Sequence, residues 1–354
     1  MRKEKITLGI IGCGMVAEFH LDGLTKMDSV EIKWLCDTSD ETLNKLLQKY
    51  NVLNGTNKYS NVINDSTVDA IILCTPPSTH FNIAKDVILS GKHILLEKPI
   101  AINEDELIEL HKLYNNNPDI IVMDASSRHS RLQPKYSYIK NIVDSGIIGE
   151  VYHIHHSAVL RKSRPGIEYH PDAKWFLDKN KSGGGPLIDW GGYDLSFHLG
   201  LLNDTPELSS IDAAYTNGLD NKFFCSSKFD VEEHGVVFMK FDRRLSYFWE
   251  RSSNANNESF NTTKIYGTKG GLKFSYLTWE SNEIRLYHSE DMNNCAEEII
   301  YIPMNSHTSH IEDNYALDDH FLNCINKKET PILPFDIAVK NISIIFRAYS
   351  SGFH

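Results

Sequence analysis

The chain has 354 residues, with 36 Lys and Arg against 47 Asp and Glu and a formal net charge of −11. That length exceeds the ~250–300 residues at which one core stops growing, so two domains are expected. The acidic balance and the lack of a basic stripe argue against nucleic acid and anionic membranes as partners, and 41% hydrophobic residues suit a globular protein. Cys13, Cys36, Cys74, Cys225, Cys295 and Cys324 show no C-x-x-C spacing, and the first three sit in or beside apolar runs. This points to a reducing compartment and no disulfides. The opening resembles a secretory signal only superficially, because three glycines break its apolar stretch and a Glu follows. No run approaches the ~20 consecutive apolar residues that span a bilayer, so the expected location is the cytoplasm.

In chain order, ITLGII (6–11), EIKWLCD (31–37), DAIILCT (69–75), KHILLEK (92–98) and DIIVMDA (119–125) are β-rich, and the stretches between them have helical spacing. Such alternation predicts an α/β fold, a doubly wound parallel sheet over residues 1–125. From residue 126 to 354 the pattern changes. A helical segment from Pro134 to Ser145 leads to alternating runs such as EVYHIHHSAV, GVVFMKFD, LSYFWERS, TKIYGT, GGLKFSY and EIRLYHS. These predict an α+β domain with a large, mostly antiparallel open sheet. Two helices close the chain, roughly Asn314 to Asn326 and Phe335 to Tyr349.

Gly12, Gly14 and Ala17 form G-x-G-x-x-A between the first strand and a helix. Glycines there permit a tight turn and let a pyrophosphate rest on the N–H groups that open the helix, with Met15 and Val16 in the first turn. Asp37 ends the second strand, twenty residues after Ala17. A carboxylate at that place accepts from adenosine ribose hydroxyls and repels a 2′-phosphate, which favours NAD over NADP. Capping the helix that starts near Ser39 is the alternative role for Asp37.

More specific are Thr75-Pro76-Pro77-Ser78-Thr79-His80 and Ser90-Gly91-Lys92-His93-Ile94-Leu95-Leu96-Glu97-Lys98-Pro99. The two segments resemble those of the glucose-fructose oxidoreductase and inositol dehydrogenase (Gfo/Idh/MocA) family. Further on, the resemblance takes in Ser145 to Val151, Gly183-Gly184-Gly185 with Asp189, Gly267 to Leu272, and the end segment with His320, Phe321 and Pro331. It implies a Rossmann domain with Thr75, Pro76, Pro77, His80, Glu97 and Lys98 at the cofactor. It also makes Lys98 the group that stabilises an alkoxide-like oxygen and passes its proton, chemistry that a partly desolvated ammonium can do. Lys98 directly follows a buried-looking strand, at the end where open α/β sheets bind ligands.

The second catalytic segment runs from Gly183 to Asp194. Pro186 suits a first helical position, and Asp189 and Tyr193, four apart, share one face. Gly191 and Gly192 each cost ~1 kcal/mol relative to Ala in a helix, so either a close ligand or tight packing needs the space. The family shows D-x-G-x-H here, whereas this chain places Tyr193 where the His is expected; a phenol also donates or relays a proton. Trp175 stands at the spacing of a family W-R pair, with Phe176 in place of the Arg, and is expected near the nicotinamide. Arg128, His129, Arg131, Arg164 and His170 are read either as substrate contacts or as surface charge. Convergence of several would favour an anionic sugar derivative. His153 and His155 share a strand face but lack further ligands at metal-site spacing, so no metal is expected. No G-x-S-x-G or Walker-type motif occurs.

The resemblance implies NAD-dependent hydride transfer from a secondary hydroxyl of a sugar, cyclitol or sugar derivative. In that reaction Lys98 acts on the oxygen, Tyr193 donates or relays the proton, and Asp189 orients Lys98 or holds a substrate hydroxyl. Arg128, Arg164 and His170 are the further substrate-binding candidates, and the open sheet is expected to join a homodimer or homotetramer. Two alternatives stay open, an NAD-dependent glycosidase acting by transient oxidation and a non-catalytic dinucleotide sensor.

Overall fold

Short, mostly apolar runs form strands where both sheet faces are covered, and β1 (Ile6–Ile11) and β4 (Ala70–Leu73) are buried along their whole length. With β2 (Val30–Cys36), β3 (Asn54–Thr56), β5 (His93–Leu96) and β6 (Val122–Asp124) they make an all-parallel sheet of order β3-β2-β1-β4-β5-β6. The computed structural model describes residues 5–161, 173–219, 228–289, 294–303 and 310–352. The strand order reverses between β1 and β4, and the crevice beyond their carboxyl ends is where such sheets take ligands. Local chemistry sets the connecting helices. Ser39 caps Asp40–Tyr50 by accepting from the Thr42 N–H, Asn103 caps Glu104–Asn115 through the Glu106 N–H, and Asn51 ends the former in the left-handed conformation.

The chain divides into two units, one running to Arg128 and taking back the stretch that ends at Val339, the other beginning at His129 and resuming at Lys340. The returning stretch, which the sequence reading places with the second domain, packs on the first. Within that unit Asp318 of the helix His310–Ile325 lies 2.7 Å from His20, and Asp336 lies 2.6 Å from His111.

In the second unit β7 (Val151–Val159), β8 (Leu208–Thr216), β9 (His234–Phe241), β10 (Ser246–Ser252), β11 (Phe260–Gly267), β12 (Gly270–Phe274), β13 (Glu283–Ser289) and β14 (Cys295–Tyr301) form one sheet. Its order is β14-β13-β12-β11-β7-β10-β9-β8, antiparallel except for the β7–β10 pair. One face is buried: Ile265, Leu272, Phe274 and Ile284 pack with Ile139 of the helix Pro134–Asp144 and Phe197 of the helix Pro186–Gly200. On the other face the register aligns Asp212, Phe238, Phe248, His155, Lys264, Lys273 and Arg285 in one row across seven strands. Among the described residues no helix is long and apolar enough to cross a membrane.

Candidate active site

The glycine turn after β1 is built for close approach. Gly12 has φ +91°, and a Cβ there would lie 2.6 Å from the Cys74 carbonyl carbon, so the ends of β1 and β4 touch. Gly14, by contrast, faces open space, with no atom within 4 Å of a Cβ built on it. As N-cap of the helix Met15–Leu24 it brings no capping side chain, which leaves that helix end to a ligand; Met15 is exposed, Val16 half-buried and Ala17 packed beneath. Asp37 accepts from the Cys13 N–H at 2.8 Å and from the Ser39 N–H at 2.8 Å, one bond on each oxygen. Ser39 is the cap of the next helix, so Asp37 keeps acceptor capacity for ribose hydroxyls. The open space beside Gly14, the uncapped helix end and this carboxylate fit the pyrophosphate and adenosine ribose of a dinucleotide.

Thr75 and Pro76 follow β4 at the same edge, Thr75 half-buried and Pro76 exposed, and Pro77–Thr79 form a 3-10 turn. His80 is buried, with Nε2 2.7 Å from the Thr75 carbonyl and Nδ1 2.8 Å from the Pro99 carbonyl. The ring lies between two backbone carbonyls, so His80 braces the Thr75 loop against the turn after β5. Lys98 is half-buried on that turn, and the Lys98–Pro99 peptide is cis. Glu97 is buried and its two oxygens are engaged by the Arg128 guanidinium, with Nη2 3.2 Å from Oε2. Burial opposes the Glu97 charge, but Arg128 and His20 outweigh it and hold the carboxyl below the usual carboxylate range. Arg128, read from sequence either as a substrate contact or as surface charge, is itself buried and serves as this counter-ion. Burial pushes nearby Asp124 up to about 6.

In the second unit Gly183 ends a short helix at φ +86° and Gly185 precedes Pro186. Glu232 supplies the missing cap, accepting from the N–H groups of Gly185 at 2.7 Å and Leu187 at 3.1 Å. Asp189 is 7% exposed and Tyr193 is buried, its ring 4.9 Å from His129 and 5.3 Å from Trp190; Trp279 lies 4.9 Å from His129. Trp190, the one partly exposed residue of this helix, stacks over Arg251, whose guanidinium is paired with buried Asp194 at 2.7 Å. A Cβ on Gly191 would lie 2.6 Å from Ile345 and 2.8 Å from Trp249, so helix packing needs that glycine. Arg131 binds the Ser196 carbonyl and Asp204, which makes it a brace. Trp175 is half-buried and stacked on Phe176 at 3.8 Å. Arg164 and His170 lie outside the described residues. His153 and His155 lie on the open sheet face and His156 on the buried one; among the described residues no cluster of three His, Cys, Asp or Glu side chains is arranged to hold a metal ion.

His20, Asp318, Glu232, Asp194 and Arg251 escaped the sequence reading. For His20, Asp194 and Asp318 a titratable residue amid apolar helix positions is the available signal, and it names no partner; Arg251 lies on β10 and Glu232 just before β9.

Residues 6–124 match the model described as an oxidoreductase family with an NAD-binding Rossmann fold, and residues 136–273 match the GFO/IDH/MocA C-terminal domain. Myo-inositol 2-dehydrogenase of Thermotoga maritima is 26% identical over 268 residues, 75% of this chain and 74% of that protein. Oxidoreductase P35 of Formosa agariphila is 26% identical over 312 residues, 84% of this chain and 89% of that protein. A solved levoglucosan dehydrogenase in complex with NADH and levoglucosan superposes with a TM-score of 0.83 at 19% identity, covering 98% of this chain and 97% of that one. The chain therefore belongs to the Gfo/Idh/MocA family of oxidoreductases, and its first unit is an NAD-binding Rossmann domain.

Proposed function

We propose that this oxidoreductase transfers a hydride between a secondary hydroxyl of a sugar or cyclitol and NAD. NAD, when bound, supplies the hydride acceptor. Gly14 and the first turn from Met15 receive the pyrophosphate, Asp37 holds the adenosine ribose, and Thr75, Pro76 and Pro77 line the crevice beside them. Lys98 takes the proton of the reacting hydroxyl and stabilises the oxygen as charge develops there. Asp189 holds a substrate hydroxyl, and Tyr193 donates or relays the proton. The observation that carries this reading is the state of Lys98: it is half-buried at the carboxyl end of β5, and the adjacent carboxylate, Glu97, is already paired with Arg128. The relatives named for inositol and levoglucosan support a polyol or anhydrosugar as substrate class.

The open sheet face is proposed as the contact for a second copy of the chain. A two-fold axis parallel to the strands and passing by Phe248 would set Asp212 of one copy against Lys264 of the other. The thiols of Cys13, Cys36, Cys74, Cys295 and Cys324 are free, in keeping with a cytoplasmic location.

The test is NADH formation with inositols, aldoses, anhydrosugars and sugar phosphates, for wild type and Lys98→Met. Turnover with one group that collapses in Lys98→Met while NAD still binds supports the reading. Turnover unchanged in that variant overturns it, and hydrolysis of an aryl glycoside without NADH accumulation assigns the scaffold to transient oxidation instead.

A further inference from the structure

Beneath the Glu97–Lys98 turn lies a chain of buried charges that the reaction as described does not use. His20, on the inner face of the helix Met15–Leu24, is completely buried, with Nδ1 2.7 Å from Asp318 Oδ1 and Nε2 3.4 Å from Glu97 Oε1. Ionised carboxylates only accept, so an imidazolium between two of them donates from both nitrogens; burial raises the Asp318 pKa, and His20 works against that rise. Asp318, also completely buried, has no hydrogen-bond partner for its second oxygen among the described residues. A buried acid with so little compensation is costly, and its visible task is to hold His20. Glu97 Oε2 in turn accepts from the Lys98 backbone N–H at 3.2 Å.

We propose that His20 and Asp318 are positioning residues for Lys98: acting through Glu97, they fix the turn that presents the amine and keep the Glu97 charge compensated from behind. The proposal rests on the role given to Lys98 above. The groups facing the imidazole are Glu97 after β5, Asp318 from the returning helix and the Cys74 thiol after β4, and Glu97 also faces Arg128 and the field of Asp124. Burial opposes the His20 charge, while Asp318 and Cys74 work against burial, and the His20 pKa ends well above its ordinary value. Without that imidazolium, Glu97 is left with one counter-ion and its surplus negative charge favours the ammonium form of Lys98. Alcohol oxidation needs the free amine, so its activity then begins at higher pH.

The experiment is the pH profile of kcat/KM for His20→Gln, Asp318→Asn and Asp318→Glu beside wild type and Lys98→Met, with NAD affinity measured separately. The expected result is a midpoint displaced upward by about half a pH unit or more in His20→Gln and Asp318→Asn, restored in Asp318→Glu, with NAD affinity within about twofold. Profiles that coincide with wild type, alongside a lowered unfolding temperature alone, overturn the proposal. The 15N resonances of the His20 ring in the wild-type protein give an answer that needs no variant: two protonated nitrogens at pH 8 support it, and a neutral tautomer overturns it. Turnover that survives Lys98→Met refutes instead the role of Lys98.

Discussion

The Glu232 carboxylate closes the open end of the helix Pro186–Gly200, accepting hydrogen bonds from the backbone N–H of Gly185 at 2.7 Å and of Leu187 at 3.1 Å. The Tyr349 hydroxyl donates a third bond at 2.8 Å. No residue before the helix can cap it, since a Cβ on Gly185 would lie 2.0 Å from the Glu232 carbonyl oxygen. Burial raises the Glu232 pKa, and the backbone and Tyr349 donors work against that rise. Replacing Glu232 by Ala leaves two buried N–H groups without a partner and should cost about 1–3 kcal/mol. Urea unfolding measures that loss. Because Asp189 lies in the first turn, turnover should fall with it while NAD affinity holds; an unchanged unfolding midpoint would refute the capping role.

Two glycines separate space kept for a ligand from space filled by packing. Gly14→Ala meets nothing within 4 Å, so its unfolding temperature should match wild type, while NAD binding weakens by about tenfold or more as the methyl enters the pyrophosphate seat. Gly191→Ala drives a methyl into Ile345 and Trp249 and should lose about 1–3 kcal/mol of stability with NAD affinity intact. Calorimetric unfolding and NAD titration of both variants distinguish the two; NAD affinity preserved in Gly14→Ala would move the pyrophosphate elsewhere.

Asp37 spends one bond of each oxygen on the backbone N–H groups of Cys13 and Ser39. Asp37→Asn keeps one acceptor but swaps the other for a donor that faces an N–H, and it removes the negative charge. The expected outcome is NAD binding weaker by about 1–2 kcal/mol and a narrower preference over NADP, since repulsion of a 2′-phosphate is gone. Kd values for both dinucleotides test this, and a ratio unchanged from wild type would remove Asp37 from cofactor selection.

What could be read from the sequence was what is local. Unbroken apolar runs such as Ala70–Leu73 reveal buried parallel strands, and the glycine turn and Asp37 follow from fixed spacings along one βαβ unit. The edge strand Asn54–Thr56 was missed because Asn-Gly-Thr carries a turn signature and only three residues pair. The site's supports were hidden for a different reason: His20 meets Asp318 across 298 positions, and Glu232 reaches Gly185 across 47. No periodicity encodes such pairs. Family motifs mark residues without saying which hold others in place, so they do not tell that His80 lies between two backbone carbonyls or that Arg128 pairs with Glu97.

Lys135 tests how the fold tolerates a buried amine. Its side chain is buried on the helix Pro134–Asp144, and Nζ donates to the Ser275 carbonyl at 2.6 Å and to the Ser281 carbonyl, which ties the two ends of the segment that carries Tyr276 and Trp279. Lys135→Met keeps the apolar stem and strands both carbonyls, at an expected cost of about 1–3 kcal/mol. Burial lowers the Lys135 pKa to about 8 from 10.5, with Glu280 acting the other way. Between those values the unfolded chain holds a proton that the folded chain has released, so wild-type stability rises with pH across the window. A neutral amine still has two N–H donors for its two carbonyls. The stability difference between wild type and Lys135→Met should therefore widen from pH 8 to about pH 10, while groups common to both proteins cancel. Urea unfolding of the pair across that range provides the measurement, and a gap that narrows would mean the amine stays charged in the folded state.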